Sequence, residues 1–467
     1  MSAFERGKHG EAPARILADF YCGLPIESLP VATLHAVRRH TLDTMGAALA
    51  GARQPEPQAV LTAGAALFGT DDKAVIWGRG QKAPPLLAAL ANGTAAHALE
   101  LDDASGCDHS GAVVIPAVLA SLSLAPQASD ADLATAIVAG YDLGRRVMEA
   151  AGGYDAHNNA GWHSTGTCGV FASAIAVARL RRLSPEMAMN ALGIAGSFAS
   201  GNWSFLQDGT MTKRLHPGHA AAAGLLATEL ALQGMTGPAH VFDAAWGGFL
   251  STYARSDADP QALTARLGEA WRIHRSSIKP FASCRGTHAA VEAVLRMRGR
   301  TADEAVDIEV GVTPTVARMC ASRTISSLVD AQMSLPYALS VAWLQGAADL
   351  PQFSDEVRGS AAVKDWLQRV RVTADPALPN NVAAHVAIRT LSGRIYEERV
   401  DSPIGSWDRP LPDDELRAKY CSLAVPVLGE EQARRLADGV FAIGDGVAPV
   451  LLESLLAVPA DRPERRS

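Results

Sequence analysis

Apolar positions recur at helical spacing through most of the first half of the chain. The segments concerned are residues 31–51, 85–101, 131–150, 166–180, 185–195 and 219–233. Apolar residues at every third or fourth position give a helix one buried face. Alanine, glycine and serine recur throughout these segments, and small side chains let helices approach closely. We therefore expect a dense helical bundle with many buried helices.

The pattern changes after about residue 270. Apolar residues alternate over residues 305–312, 370–373 and 384–390, and Ser392-Gly393 predicts a hairpin turn before a strand over residues 395–400. Helical spacing returns at residues 287–297, 335–345 and 413–440. The sequence predicts a mainly α fold with a large all-helical domain, residues 1–270 plus 403–467. A smaller α+β domain, residues 271–402, is inserted into it as a lid.

Composition narrows the class of protein. With 48% hydrophobic and 19% charged residues, the 467-residue chain is globular, and its net charge of −7 argues against nucleic acid as a partner. Six scattered cysteines without a CxxC pair argue against a zinc ribbon, a disulfide framework or an iron–sulfur cluster. The longest apolar stretch, residues 111–125, is shorter than the ~20 residues of a membrane span, and residues 1–12 lack an apolar signal core. We expect a cytoplasmic protein without membrane contact.

Histidines stand at the predicted starts of several helices. They are His109, His163, His216 and His288, with Ser110, Thr165 and Thr287 as expected N-caps and Pro217 as an expected first helical residue. A helix N-terminus attracts carboxylates and disfavours a protonated imidazole, so we expect neutral histidines that act as bases. Lys213 and Arg214 add positive charge, although neighbours on a helix point about 100° apart and one of the two is expected to face solvent. The other histidines, His97 included, are expected to be structural.

Several segments carry a family resemblance in a fixed order. They are residues 92–103, 109–116, 161–169, 212–218, 234–238, 279–288 and 330–337. On these segments the chain resembles the MmgE/PrpD family, which includes 2-methylcitrate dehydratase, cis-aconitate decarboxylase and iminodisuccinate epimerase. The resemblance implies a homodimer with no metal and no organic cofactor. It also implies an active site in the cleft between the two domains.

The resemblance places the pocket on particular residues of this chain. By motif match these are Glu100, Ala104, His109, His163, Lys213, His288 and Tyr337. We expect His109, His163, Lys213, His288 and Tyr337 to be catalytic. We expect Glu100, Asp102, Asp103, Ala104, Arg214 and His216 to bind substrate, although Asp102-Asp103 also fits a helix C-terminal turn. The family commonly has Asp-x-Asp-Asp-Thr or Ser where this chain has Glu100 to Ala104, and His-Pro-Ser where it has His109-Ser110-Gly111.

These residues predict a metal-free lyase that acts on a small polycarboxylate. In this hypothesis Lys213, with His288, holds one carboxylate, and His109 or His163 moves a proton at the carbon next to it. Tyr337 and Glu100 or Asp102 orient the histidines. Dehydratase, decarboxylase and epimerase reactions share one carbanion-like intermediate, so the residues do not separate them. A non-catalytic carboxylate-binding relative and a metal-dependent hydratase are the alternatives.

Overall fold

The computed structural model describes residues 11–69, 73–300 and 303–458. Helix accounts for 60% of the residues and strand for 8%, which confirms the predicted mainly α fold. Residues 1–10 and 459–467, assigned above to the helical domain, lie outside the described residues. Within the described ranges, no helix is both long enough and apolar enough to cross a membrane.

Helices form in all six segments predicted from helical spacing before residue 270, and further helices lie outside those segments. Their bounds are α1 Pro13–Cys22, α2 Val31–Gly51, α3 Pro55–Phe68, α4 Pro85–His97, α5 Ser110–Ala120, α6 Asp130–Ala150, α7 Gly153–Asn159, α8 Ser164–Thr167, α9 Gly169–Leu180, α10 Pro185–Ala195, α11 Phe205–Asp208, α12 Thr212–Leu232 and α13 Phe249–Tyr253. Helices α2 and α10 have the predicted bounds. The close packing expected from small residues is confirmed where α4 meets α12, because a Cβ on Gly93 would lie 2.7 Å from the Cα of Gly218.

Helix α12 begins seven residues before the predicted start at residue 219. Pro217 therefore lies inside the helix, and the prediction that it is the first helical residue was wrong. The early turn contains Lys213 and Arg214, which form buried ion pairs with Glu100 and Glu56 respectively. These tertiary contacts stabilise the first turn of α12, because Pro217 by itself disfavours helical backbone in the turn before it.

The part predicted as all-helical contains a short antiparallel ladder. Its strands are β1 Ala74–Val75 and β2 Lys82–Ala83, with Ala74 opposite Ala83. The prediction of an all-helical part was wrong here, because two-residue strands are too short to produce a recognisable alternation.

A four-stranded sheet lies in the second half of the chain, with the predicted strands. The bounds in this part are α14 His288–Arg298, β3 Ala305–Val312, α15 Pro314–Cys320, α16 Leu328–Gln332, α17 Leu335–Gln345, α18 Asp355–Gly359, α19 Ala361–Arg369, β4 Val370–Ala374, β5 Ala384–Thr390 and β6 Ile395–Val400. The strand order is β4-β3-β5-β6, with β3 parallel to β4 and antiparallel to β5. The predicted turn between β5 and β6 contains Gly393, whose φ of 82° suits glycine. Ile308, Val310 and Val386 of this sheet share a core with helices α14 and α17.

Of the last three described helices, two pack back onto α2 and the third packs on the second of them. They are α20 Asp413–Leu428, α21 Glu430–Phe441 and α22 Pro449–Leu455. Tyr420 and Leu436 lie in the same core as Leu42 of α2. Gly429, with a φ of 87°, separates α20 from α21. The division into residues 1–270 plus 403–467 and residues 271–402, with the latter as a lid, stays a prediction.

Candidate active site

The connection between α4 and α5, residues 98–109, carries many of the predicted site residues. Three of its non-glycine residues have positive φ: Glu100 at 54°, Ser105 at 68° and Asp108 at 85°. Side chains disfavour this region of backbone space, and such strain tends to cluster at functional sites. The surrounding structure must therefore hold this connection in place.

Hydrogen bonds with other parts of the chain keep the connection between α4 and α5 in place. The N–H of Ala104 donates to the carbonyl of Ser277 (2.9 Å), and the N–H of Ser277 donates back to Ala104 (2.8 Å). The Asp103 carboxylate accepts from the backbone N–H of Gly111 (2.9 Å) and from the Tyr141 hydroxyl (2.8 Å). Asp103 is fully buried and anchors the start of α5. Its placement gives no support to the predicted contact with substrate.

A cavity of about 430 Å³ lies beside this connection. Four of the predicted residues line it: Glu100, Ala104, His109 and Lys213. The wall also contains side chains that were not among the predicted site residues: Asp108, Arg145, Arg275, Cys284 and Arg285. A cavity of this size suits a small-molecule ligand.

His109 is the N-cap residue of α5 and touches three acceptors. Its Nδ1 lies 3.0 Å from Asp102 Oδ2 and 2.8 Å from the backbone carbonyl oxygen of Asp103, so this nitrogen donates. Its Nε2 lies 3.6 Å from Asp108 Oδ2. Burial disfavours the charged ring, but Asp108 and Asp102 outweigh burial and raise the pKa of His109 to about 9. The prediction that His109 is a neutral base was wrong. The negative charges of Asp102 and Asp108 affect its pKa more than the positive N-terminus of α5 does.

His163 lies behind the cavity wall. Asp108 Oδ2 lies 3.4 Å from His163 Nε2, so one carboxylate faces both this ring and His109. The His163 Nδ1 lies 2.8 Å from the Nδ1 of His216, and the two rings share a hydrogen bond. Burial lowers the pKa of both His163 and His216. Both rings therefore stay neutral, as predicted from the sequence, but neither lines the cavity.

Glu100 lies between two buried lysines. It forms an ion pair with Lys213, and its Oε2 lies 3.2 Å from the Nζ of Lys279. Burial would raise the pKa of Glu100, but Lys213 and Lys279 hold it well below its usual range. The sequence prediction did not include Lys279. Its partner is 179 residues away along the chain, so no local spacing could have identified it.

Asp102 is shared by two imidazoles. Its carboxylate lies 3.0 Å from the Nδ1 of His97 and 3.0 Å from the Nδ1 of His109, while Lys279 Nζ is 3.9 Å away. Burial opposes ionisation, but these neighbours hold the pKa of Asp102 well below its usual range. Burial lowers the pKa of His97 to about 4. Asp102 therefore orients His109 from inside the protein, and His97 in turn orients Asp102.

His288 contacts an arginine of the cavity wall. Its Nδ1 accepts from Arg285 Nη1 (3.0 Å), and its Nε2 donates to the carbonyl of Ser283 (3.2 Å). Burial, with the charges of Arg285 and Lys279, holds the pKa of His288 well below its usual range. The ring is fully buried, so its contacts indicate a role in holding Arg285.

Two of the predicted site residues lie elsewhere. The guanidinium of Arg214 pairs with Glu56 and donates to Gln332 Oε1 (2.9 Å), a buried arrangement apart from the cavity lining. The Tyr337 hydroxyl donates to the backbone carbonyl of Gln352 (2.7 Å) and lies in the core beside the four-stranded sheet. Neither placement supports the predicted role. The motif match placed Tyr337 near the site, and Arg214 was expected there as the neighbour of Lys213, but neither argument carried information on where the polar atoms point.

The cavity wall carries three guanidinium groups. Arg285 is buried and donates to Ser406 Oγ (2.6 Å), Arg145 pairs with Glu149, and Arg275 lies 4.0 Å from the centroid of the Trp407 ring. Burial lowers the pKa of Arg285 to about 10, so this group stays charged at neutral pH. A guanidinium matches a carboxylate in shape and charge.

Carboxylates also border the cavity. Asp155 and Asp408 line it but are exposed, so water screens their charge, whereas Glu100 and Asp108 are buried and face Lys213 and His109 respectively. The buried cations Lys213 and Arg285 are screened much less. The buried part of the wall therefore combines these cations with two carboxylates, each of which already faces a cationic partner.

Among the residues that the structure describes, two groups of buried side chains have the spacing of metal ligands. They are His97, Asp102 and His109, and Asp108, His109 and His163. In each group the candidate ligand atoms lie within 4.8 Å of one another. His109 belongs to both groups, and it faces Asp102 with Nδ1 and Asp108 with Nε2.

The sequence is similar to known proteins over most of its length. Residues 15–261 match the MmgE/PrpD N-terminal domain, and residues 281–442 match the MmgE/PrpD C-terminal domain. The chain is 30% identical to a cis-aconitate decarboxylase of Aspergillus terreus, over 94% of this chain and 95% of that protein. It is 26% identical to the cis-aconitate decarboxylases of Mus musculus and Homo sapiens, over 95% and 94% of this chain and 93% of each relative.

Proposed function

This chain belongs to the MmgE/PrpD family and is a lyase of that type, and we propose that it moves a proton at the carbon next to a carboxylate of a small polycarboxylate anion. One observation carries the proposal. His109, whose pKa the neighbouring carboxylates raise to about 9, lines the same cavity as Lys213 and three arginines. An acid beside several fixed cations fits a substrate that brings several negative charges.

The cations bind and polarise the substrate. Lys213 and Arg285 take one carboxylate, and Arg145 or Arg275 takes another. When a proton leaves the neighbouring carbon, negative charge develops on the bound carboxylate. Fixed positive groups stabilise that charge more than they stabilise the ground state, and this lowers the barrier.

His109 acts as the acid. Its Nδ1 is occupied by Asp102 and the carbonyl of Asp103, so Nε2 is the nitrogen that gives up a proton. With a pKa of about 9 it is protonated at neutral pH and remains able to donate. The proton goes to a leaving hydroxyl in a dehydratase or to carbon in a decarboxylase. It goes to the opposite face of carbon in an epimerase, which is the alternative on the same fold.

We propose further that the reaction needs no metal ion. Asp102 is already shared by His97, His109 and Lys279, and Asp108 faces two imidazoles. A divalent ion would have to replace the proton of His109 and lie close to the Lys279 ammonium. Activity that survives dialysis against EDTA supports this, and loss of activity that one divalent metal restores supports a metal-dependent hydratase.

The homodimer implied by the family and the cytoplasmic location predicted from the apolar pattern of the chain are also proposals. A large apolar fraction permits a subunit interface but does not require one. Light scattering coupled to size-exclusion chromatography tests the dimer, and fractionation of the native cells tests the location.

The function is tested with a panel of di- and tricarboxylates, including citrate and aconitate, followed by mass spectrometry of the products. Loss of water identifies a dehydratase and loss of carbon dioxide a decarboxylase. Unchanged mass with altered stereochemistry identifies an epimerase. His109→Asn should lower kcat by about 10²- to 10⁴-fold, the range for a general acid.

The matched control is His240→Asn, the same change at a histidine that pairs with Asp243 and does not line the cavity. This control should keep wild-type kcat. Binding of panel members in a thermal-shift assay without any product would favour the non-catalytic carboxylate-binding alternative. Absence of both binding and turnover would contradict the proposed function.

A further inference from the structure

Cys284 lies in the cavity wall at a fixed position. Its backbone N–H donates to the carbonyl of Gln332 (2.8 Å), and its carbonyl accepts from the N–H and the hydroxyl of Thr287 (both 2.9 Å). The side chain is partly exposed and lines the same cavity as His109 and Lys213. Neither the proposed binding of carboxylates by the cations nor the proposed proton donation by His109 uses this thiol.

The surroundings of Cys284 stabilise a thiolate. Cys320, the buried last residue of α15, is the side-chain hydrogen-bond partner of Cys284, and the backbone N–H of Gly286 also favours the Cys284 thiolate. The Lys213 ammonium adds positive charge nearby. Burial opposes ionisation, but these groups lower the pKa of Cys284 to about 7. The Cys320 thiol keeps its proton, because its pKa is raised well above its usual range.

Other cysteines of the chain have a different environment. Burial raises the pKa of Cys22 to about 11 and of Cys107 to about 12, and it also raises the pKa of Cys168. These thiols behave as small apolar side chains. Cys284 differs because a thiol, a backbone N–H and a lysine all favour its charged form.

The proposed reaction needs a base as well as an acid when the carbon next to the carboxylate loses a proton. His163 does not line the cavity and its ring nitrogens face His216 and Asp108, while the cavity-lining His109 is already protonated. We propose that the Cys284 thiolate is this base, with Cys320 as the residue that positions and stabilises it. The inference rests on the proposed function of the same cavity.

The Cys284 sulfur takes the proton, and the electrons of the C–H bond pass into the carboxylate held by the cations. When they return to form the double bond, the C–O bond breaks and His109 Nε2 protonates the leaving hydroxide, giving water. In an epimerase, His109 instead returns its proton to the opposite face of carbon. Proton exchange with solvent then restores the thiolate and the imidazolium.

A thiolate base at Cys284 distinguishes among the dehydratase, decarboxylase and epimerase reactions, which His109 and the cations alone do not separate. Decarboxylation draws its electrons from a C–C bond and needs no base at carbon. A thiolate base is needed when a C–H bond breaks. A cavity with both groups therefore favours dehydration or epimerisation, and the panel should yield a product that has lost water or changed configuration.

The first test measures the thiolate without any substrate. The rate of iodoacetamide alkylation at Cys284, followed by mass spectrometry as pH increases, should rise with a midpoint near 7. Cys320→Ala removes this hydrogen-bond partner and should move the midpoint upward. A wild-type midpoint at or above the ordinary thiol value of about 8.5, or no alkylation of Cys284 below that pH, would overturn the inference.

The second test measures turnover on the substrate that the panel identifies. Cys284→Ser should lower kcat by about 10²-fold or more, the contribution expected of a general base, while KM changes only a few-fold. Cys421→Ser, at an exposed cysteine of α20 outside the cavity, should keep wild-type kcat. Wild-type kcat in Cys284→Ser would overturn the inference and leave the proposed function standing. Failure of the wild-type protein to convert any panel member would instead contradict the proposed function.

Discussion

Asp108→Asn should lower the pKa of His109 and so shift the pH range in which His109 can donate a proton. The substitution keeps the shape of the side chain and removes one of the two carboxylates that face the ring. Asp108 is buried, and its Oδ2 lies 3.6 Å from His109 Nε2. After the change only Asp102 opposes burial, which disfavours the charged ring.

The size of the effect follows from Coulomb's law. Two unit charges 3.6 Å apart attract by about 1 kcal/mol in water and by about 5 kcal/mol at the effective dielectric constant of about 20 that suits protein sites. Since 1.36 kcal/mol corresponds to one pKa unit, the pKa of His109 should fall by about 1 to 3 from its value of about 9. The acid is the protonated form, so kcat/KM should fall with increasing pH at a correspondingly lower pH.

An NMR titration of isotope-labelled histidine measures the pKa directly and needs no substrate. His109→Asn identifies the resonance, and Asp155→Asn is the matched control, because this exposed carboxylate borders the same cavity under solvent screening. The control should leave the pKa of His109 near 9. An unchanged pKa in Asp108→Asn, or a wild-type pKa near the ordinary 6.5, would refute the assignment of His109 as a cationic acid.

Three further substitutions test other parts of the account. Tyr337→Phe should leave kcat within a few-fold of wild type in the panel assay, because the Tyr337 hydroxyl donates to a backbone carbonyl in the core. A large loss of kcat would restore the predicted catalytic role of Tyr337. Lys213→Met should abolish measurable turnover and lower the free energy of unfolding in urea by less than the about 3–5 kcal/mol expected when a buried charge loses its partner, because Lys279 still faces Glu100; unchanged stability would contradict the pairing of Lys213 with Glu100. Gly93→Ala should destabilise the fold by roughly 1–3 kcal/mol in the same measurement, because its Cβ would overlap Gly218, and wild-type stability would contradict the close helix crossing.

Much of the secondary structure could be predicted from the sequence, because periodicity reports directly on which face is buried. The bounds of α2, α10 and β3 are the predicted ones. The start of α12 was missed because Pro217 gives a strong local signal, whereas the ion pair of Lys213 that stabilises the preceding turn joins distant residues. Local signals cannot reveal such contacts.

The site could be predicted only in part, for the same reason. Motif matching brought His109, Lys213 and Glu100 to one cavity. The raised pKa of His109 could not be predicted from the sequence. Asp108 is adjacent in the chain, but the sequence does not show whether its carboxylate points toward the His109 ring. Lys279 and the arginines of the cavity were missed because nothing local distinguishes them from surface cations.

The most direct test of the central claim is a crystal structure of the protein with a polycarboxylate that the panel shows it to bind. The account predicts one carboxylate within hydrogen-bond distance of Lys213 Nζ or the Arg285 guanidinium, and the reacting carbon or its leaving group beside His109 Nε2. A ligand bound outside this cavity, or one whose carboxylates contact none of the cations in its wall, would contradict it.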